Sequence, residues 1–182
     1  MTRYVRIQRV LHWLMALIVT AVLAGGLMIG ILGFEGVTDL LGRAGRDILY
    51  EYHKTFGLIV LALMFLRLFV RVEYGKPKYD PPIKAWERAA SAGVQYLLYL
   101  ALFAMPILGW LATDASDYPV EFLAWNLPQF IAKDKAMGDA LYEAHGVVGW
   151  TIAALLVLHV GGALKHALSG RKDVIDRIWP LR

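Results

Sequence analysis

Four apolar runs, each long enough to cross a bilayer, constrain this chain more than any other feature in it. They are VLHWLMALIVTAVLAGGLMIGIL (Val10 to Leu32), ILYEYHKTFGLIVLALMFLRLFV (Ile48 to Val70), AGVQYLLYLALFAMPILGWLA (Ala92 to Ala112) and a run from about Leu141 to Leu164. A hydrocarbon core takes ~20 apolar residues per helix. The 182-residue chain is 58% hydrophobic and only 19% charged, against ~45–50% apolar in a soluble domain. A water-soluble fold of this length has no surface for that excess. The expectation is an all-α fold, an integral membrane four-helix bundle, with residues 1–182 forming one domain.

The connections support this division. Glu35 to Asp47 joins the first two runs, and VEYGKPKYDPPIKAWER, punctuated by proline and glycine, joins the next two. Thr113 to Ala140 carries VEFLAWNLPQFIA, an apolar piece too short to span, which reads as an interfacial cap. Met105-Pro106 is expected to kink the third helix, because proline removes a backbone donor. The first run follows basic residues, as in a secretory signal, but it exceeds the usual ~7–15 residues and carries His12 and Trp13, so it reads as a retained span.

Charge sets the direction. Arg3, Arg6, Arg9, Arg67, Arg71, Lys76, Lys78, Lys84, Arg88, Lys165, Arg171, Lys172, Arg177 and Arg182 fall on one side, 14 of the 19 cations. Arg43, Arg46, Lys54, Lys133 and Lys135 fall on the other, where 10 of the 15 acids also lie. Basic loops stay inside, so both termini are expected in the cytoplasm. The pI near 9.3 then reflects topology and gives no support for nucleic-acid binding. Cysteine is absent, which excludes disulfides, thiolate-ligated haem and iron–sulfur clusters held by this chain.

All five histidines lie in or at the ends of the expected spans, where an ionisable side chain is a functional hypothesis by default. His145 and His159 are 14 residues apart, which places them ~40° apart in azimuth and ~21 Å apart along one helix. One metal ion could not touch both. His53 opens the second span at the depth of His145, and His12 opens the first at the depth of His159. Two pairs result, an outer His53/His145 and an inner His12/His159. Imidazoles facing each other across a bundle are what a six-coordinate b-type haem requires, one axial nitrogen from each side. A proton relay would favour Asp and Glu in the spans, and only Glu51 and Glu143 approach one. Zinc or copper would need a tight cluster.

Other residues fall on the same 14-residue step. Gly26 follows His12 by 14, with Gly25 beside it. Gly57 and Gly149 each follow a histidine by four, and Gly161 and Gly162 lie just beyond His159. Missing side chains suit a flat macrocycle, although glycines also let membrane helices pack closely. Arg67 follows His53 by 14 and is expected to pair with a propionate of the inner haem, since a guanidinium fork suits carboxylates. The alternative is that Arg67, like Arg71, snorkels to the interface. His166 rivals His159 as the partner of His12, ~10 Å further along the helix. His159 is preferred because deeper burial demands a ligand role.

The ordered motifs LHWLMALIV, YEYHKTFGLIVLALMFLRLFVRV, KPKYDPP, MPILGW and EAHGVVGWTIAALLVLHVGGALKH resemble the bacterial cytochrome b561 family of four-helix, di-haem membrane proteins over nearly the whole chain. The resemblance implies His12, His53, His145 and His159 as axial ligands of two haem b groups and an inner-membrane location. It implies transmembrane electron transfer with ubiquinone as acceptor and, in one branch, superoxide as donor. The motifs are also similar to those of haem-carrying membrane subunits of hydrogenases and formate dehydrogenases, which implies a second possibility, a relay subunit fed by a dehydrogenase partner. Ascorbate-driven ferric reduction is a third, weaker one.

Overall fold

The computed structural model describes residues 3–79, 82–123 and 125–179. Asp80 and Pro81 of KPKYDPP, and Arg182 of the C-terminal cations, lie outside the described residues. The elements are α1 (Arg6–Tyr74), α2 (Ala85–Ala115), β1 (Glu121–Phe122), β2 (Trp125–Asn126), α3 (Lys135–Leu168) and α4 (Asp173–Asp176). Among the described residues, α1, α2 and α3 are long and apolar enough to cross a membrane.

The first two apolar runs both lie in α1, which is two helical limbs joined by a short helical link within the expected Glu35–Asp47 connection. The backbone nevertheless breaks at Gly33 (φ 67°) and Gly42 (φ 71°). Positive φ costs glycine little and costs other residues a Cβ clash, so the chain can turn at these two points. The limbs on either side fold back along each other. Gln8 Nε2 donates to the Gly75 carbonyl at 3.0 Å, Met15 and Val19 pack on Val60 and Met64, and Gly25 approaches Leu49. From beyond the second break, Arg46 reaches back to stack on Phe34 at 4.0 Å and donate to Thr38 Oγ1, and Val37 between the breaks is fully buried.

α2 runs on through Pro106. Asp134 caps α3, accepting from Met137 N–H at 3.0 Å, which satisfies one orphan donor of the first turn. The outward faces of the long helices are apolar and bare: Phe69 is 67% exposed, Tyr96 75% and Val157 72%. Helices apolar on every side need an apolar solvent.

The all-α expectation needs one correction. The connection between α2 and α3 forms a small antiparallel pairing, Glu121 opposite Asn126 and Phe122 opposite Trp125. Its cause is local satisfaction of backbone groups where no helix pattern exists. Leu127 N–H donates to the Val120 carbonyl and Leu123 N–H to Thr55 Oγ1. Buried Asp114 accepts from Phe130 and Ile131 N–H at 2.6 and 2.9 Å, which ties the loop across this end of the bundle, here called the hairpin end. At the opposite, termini end, the C-terminal segment is strapped to the start of α1. Arg3 donates to the Asp176 carbonyl, Arg9 to Trp179 and Trp13 Nε1 to Ile178.

Candidate functional site

Two pairs of imidazoles sit inside the bundle. The His53 and His145 ring centres are 6.1 Å apart near the hairpin end, and those of His12 and His159 are also 6.1 Å apart near the termini end. His166 makes no ring contact with His12 among the described residues; its carbonyl accepts from Arg171 N–H. No described cluster of three or more His, Cys, Asp and Glu could hold a metal ion, so any metal here relies on two protein ligands. The spacing fits an ion between the rings. An imidazole nitrogen stands about 2 Å from a bound metal and about 1 Å from its own ring centre, so two rings on one ion stand ~6 Å apart.

Each hairpin-end histidine leans into a notch made by a glycine, on α2 for His145 and on the first limb of α1 for His53. A Cβ at Gly109 of α2 would lie 2.9 Å from His145 Cε1, and one at Gly26 of α1 would lie 2.7 Å from His53 Cε1. Gly26, expected either to clear a macrocycle or to let helices pack closely, makes room for the His53 imidazole. His145 Nδ1 lies 3.0 Å from the Met105 carbonyl, one helical turn before Gly109. A carbonyl can only accept, so Nδ1 carries the proton and Nε2 keeps its lone pair, which fixes the tautomer a metal needs. The His53 ring approaches the equivalent carbonyl, Val22, but its Nδ1 lacks a hydrogen bond of good geometry.

A cavity of about 1030 Å³ surrounds this pair, at the upper end of the ~300–1,000 Å³ typical of cofactor sites. Gly57 and Gly149 line it, as do Pro106 and Trp110, with Arg46 and Lys54 among its charged residues. A Cβ at Gly57 would meet no protein atom within 4 Å, so the cavity reaches that helix face. Gly161 and Gly162 are exposed, and a Cβ at either would meet no protein atom within 4 Å.

At the other pair, Arg67 reaches His12. Its NH2 lies 3.1 Å from His12 Nδ1, and its Nε donates to the Tyr99 hydroxyl at 3.1 Å. Between the two levels lies a packed cluster of Met15, Val19, Val60 and Met64. Below His12, Trp13 meets Trp179 edge to face at 5.3 Å, so the C-terminal strap closes this end.

Several of these residues escaped the sequence reading. Gly109, the Met105 carbonyl and Tyr99 all belong to α2, which has no histidine from which to count a 14-residue step. Asp114 is fully buried yet sits at the edge of an apolar run, where it reads as a loop acid.

A helical bundle of membrane-spanning length with paired imidazoles buried in it defines a class, the haem-binding integral membrane proteins. The model of the prokaryotic cytochrome b561 family matches residues 3–181. Cytochrome b561 homolog 1 of Escherichia coli (strain K12) is 29% identical across 100% of this chain and 99% of its own length. Cytochrome b561 homolog 2 of the same organism is 29% identical across 97% of this chain and 90% of its own. The chain belongs to the prokaryotic cytochrome b561 family. It is a multi-pass protein of the bacterial inner membrane that binds haem b and carries electrons.

Proposed function

We propose that the chain is one four-span domain over residues 1–182, both termini cytoplasmic, that moves electrons across the membrane between two b-type haems. His53 and His145 hold the outer haem, at the hairpin end; His12 and His159 hold the inner one, at the termini end. Haem b supplies a one-electron ferric/ferrous couple. The observation that carries this reading is the 6.1 Å ring separation found twice, on residues 14 apart in one helix.

The chain's own residues do the rest. The Met105 carbonyl orients His145, Arg67 supplies a guanidinium fork for an inner propionate, and Met15, Val19, Val60 and Met64 keep water from between the levels. None of those four side chains exchanges protons, so the middle of the bundle conducts electrons and blocks protons. The donor we propose is superoxide at the periplasmic face, and the acceptor ubiquinone. Two superoxide anions each lose one electron and leave as dioxygen, and the quinone gains two electrons and two protons to become the quinol. Arg46 and Lys54 line the outer cavity, where a small anion would approach.

One observation favours a second reading. Four of the five outer cations are ion-paired: Arg46 with Asp47, Lys54 with Glu121, Lys133 with Asp117 and Lys135 with Asp139. Paired charges steer a small anion weakly. A relay subunit that receives electrons from a dehydrogenase partner has no need of such steering. Purified protein given a superoxide source and a ubiquinone analogue separates the two. Superoxide oxidation predicts haem reduction and superoxide loss faster than spontaneous dismutation. No acceleration, with copurification of a large redox partner, selects the relay.

A further inference from the structure

The two histidine levels differ in the charge that touches them. At the outer level His145 Nδ1 meets a neutral carbonyl, and both cations lining the cavity are tied to carboxylates. At the inner level the neighbour is a guanidinium. Arg67 lies 3.1 Å from His12 Nδ1 through NH2, is held through Nε by the Tyr99 hydroxyl, and has no carboxylate partner among the described residues. Arg67 is half-buried, and an arginine stays charged at any physiological pH. In the low dielectric of a bundle a fixed charge acts more strongly than in water. A positive charge beside a redox centre stabilises the state that holds one more electron.

We propose that Arg67 sets the redox order of the two levels, its positive charge beside His12 drawing the electron inward and giving transfer a direction, from periplasm to cytoplasmic side. The inference rests on the two-haem reading. With a haem held at each level, one electron would pass from a ferrous outer iron, leaving it ferric, to a ferric inner iron, leaving it ferrous; no proton or further reactant would enter. Tyr99 is a positioning residue in this scheme, because its hydroxyl accepts from Nε and so holds the guanidinium beside His12. A guanidinium only donates, so His12 Nδ1 accepts in this structure; ligation through Nε2 would put the ring proton on Nδ1 and turn the guanidinium toward a propionate, which would screen part of its charge but leave it beside the inner level.

The test uses the full-length protein in detergent. Haem is first counted per chain by pyridine haemochrome, then titrated potentiometrically and followed by absorbance in wild type, Arg67→Gln, Arg67→Lys and Tyr99→Phe. In Arg67→Gln, one of two one-electron components is expected to lose at least tenfold in its reduction constant, a negative shift of 59 mV, while the other stays. Arg67→Lys retains most of the wild-type value, and Tyr99→Phe moves the same component by less. In a His145→Leu background, which removes the outer ligand, the component that survives is the one Arg67→Gln moves. Two haems per chain with unchanged midpoints in Arg67→Gln overturn the inference alone, as does an equal shift in Arg67→Lys. If Arg67→Gln holds no inner haem, the remaining variants decide. A shift in Tyr99→Phe with none in Arg67→Lys supports the assignment, and midpoints unchanged in both overturn it. A wild-type chain with fewer than two haems removes the two-haem reading itself, and the inference with it.

Discussion

Gly109→Ala probes the outer level through a residue that carries no chemistry. The new Cβ would lie 2.9 Å from His145 Cε1 and 3.1 Å from Nδ1. Ordinary contact begins at 3.4 Å, so the ring must retreat by about 0.5 Å, which is the tolerance of a productive site. Retreat stretches the 3.0 Å bond from Nδ1 to the Met105 carbonyl to the limit of hydrogen bonding. Loss of such an outer-shell partner costs a metal site ~10–100-fold in affinity, and overpacking costs ~1–3 kcal/mol of stability. Gly93→Ala is the matched control. It lies in the same helix with nothing within 4 Å of its Cβ, and it should gain about 1 kcal/mol of helix propensity. The assay is haem loss from purified protein to an excess of a haem scavenger, with pyridine haemochrome counts before and after. Gly109→Ala should lose one haem at least ten times faster than wild type, while the second haem and the Gly93→Ala variant behave as wild type. Equal loss rates in Gly109→Ala and wild type would refute the notch argument.

Three further outcomes follow from the same geometry. Gly57→Ala places a methyl group in the outer cavity without meeting protein; thermal unfolding of the haem-free chain should be unharmed while outer haem content falls, and full haem content would show that the cavity is not where the macrocycle lies. Removal of residues 171–182 takes away the acceptors of Arg3, Arg9 and Trp13 and should speed dithionite reduction of the inner haem in stopped-flow measurements, leaving the outer haem unchanged. The Lys165 ammonium, 2.8 Å from Glu87, holds the Glu87 carboxyl below its usual value. A depressed folded-state value stabilises the fold above about pH 4.3 and ceases to as pH falls through the folded value. Glu87→Gln should flatten that acid limb in a plot of unfolding temperature against pH, and an unchanged limb would assign acid sensitivity elsewhere.

Much of the fold could be read in the chain because lipid-facing helices announce themselves by apolar length. The pairing of His53 with His145 and of His12 with His159 needed only depth and a 14-residue step, since a straight helix carries azimuth faithfully over four turns. What the residues could not show depends on contact. The helical link between Gly33 and Gly42 was hidden because acids and glycines there look like a loop. The contact of Gly26 with the His53 ring was not legible, because close approach by a macrocycle and close approach by an imidazole leave the same gap in a sequence. The strap over the termini end uses backbone carbonyls at Asp176, Ile178 and Trp179 as acceptors, and a carbonyl has no letter in the sequence. The five outer cations could be counted, but the pairing of Lys54 with Glu121 and of Lys133 with Asp117 follows from a folded loop.

The most direct measurement is the haem count. Full-length protein, quantified by amino-acid analysis and by pyridine haemochrome, should carry two haem b per chain. His53→Leu and His145→Leu should each remove the same haem, and His12→Leu and His159→Leu the other. A saturated wild-type protein with one haem or none, or a His166→Leu variant that loses a haem while His159→Leu keeps both, would contradict the account.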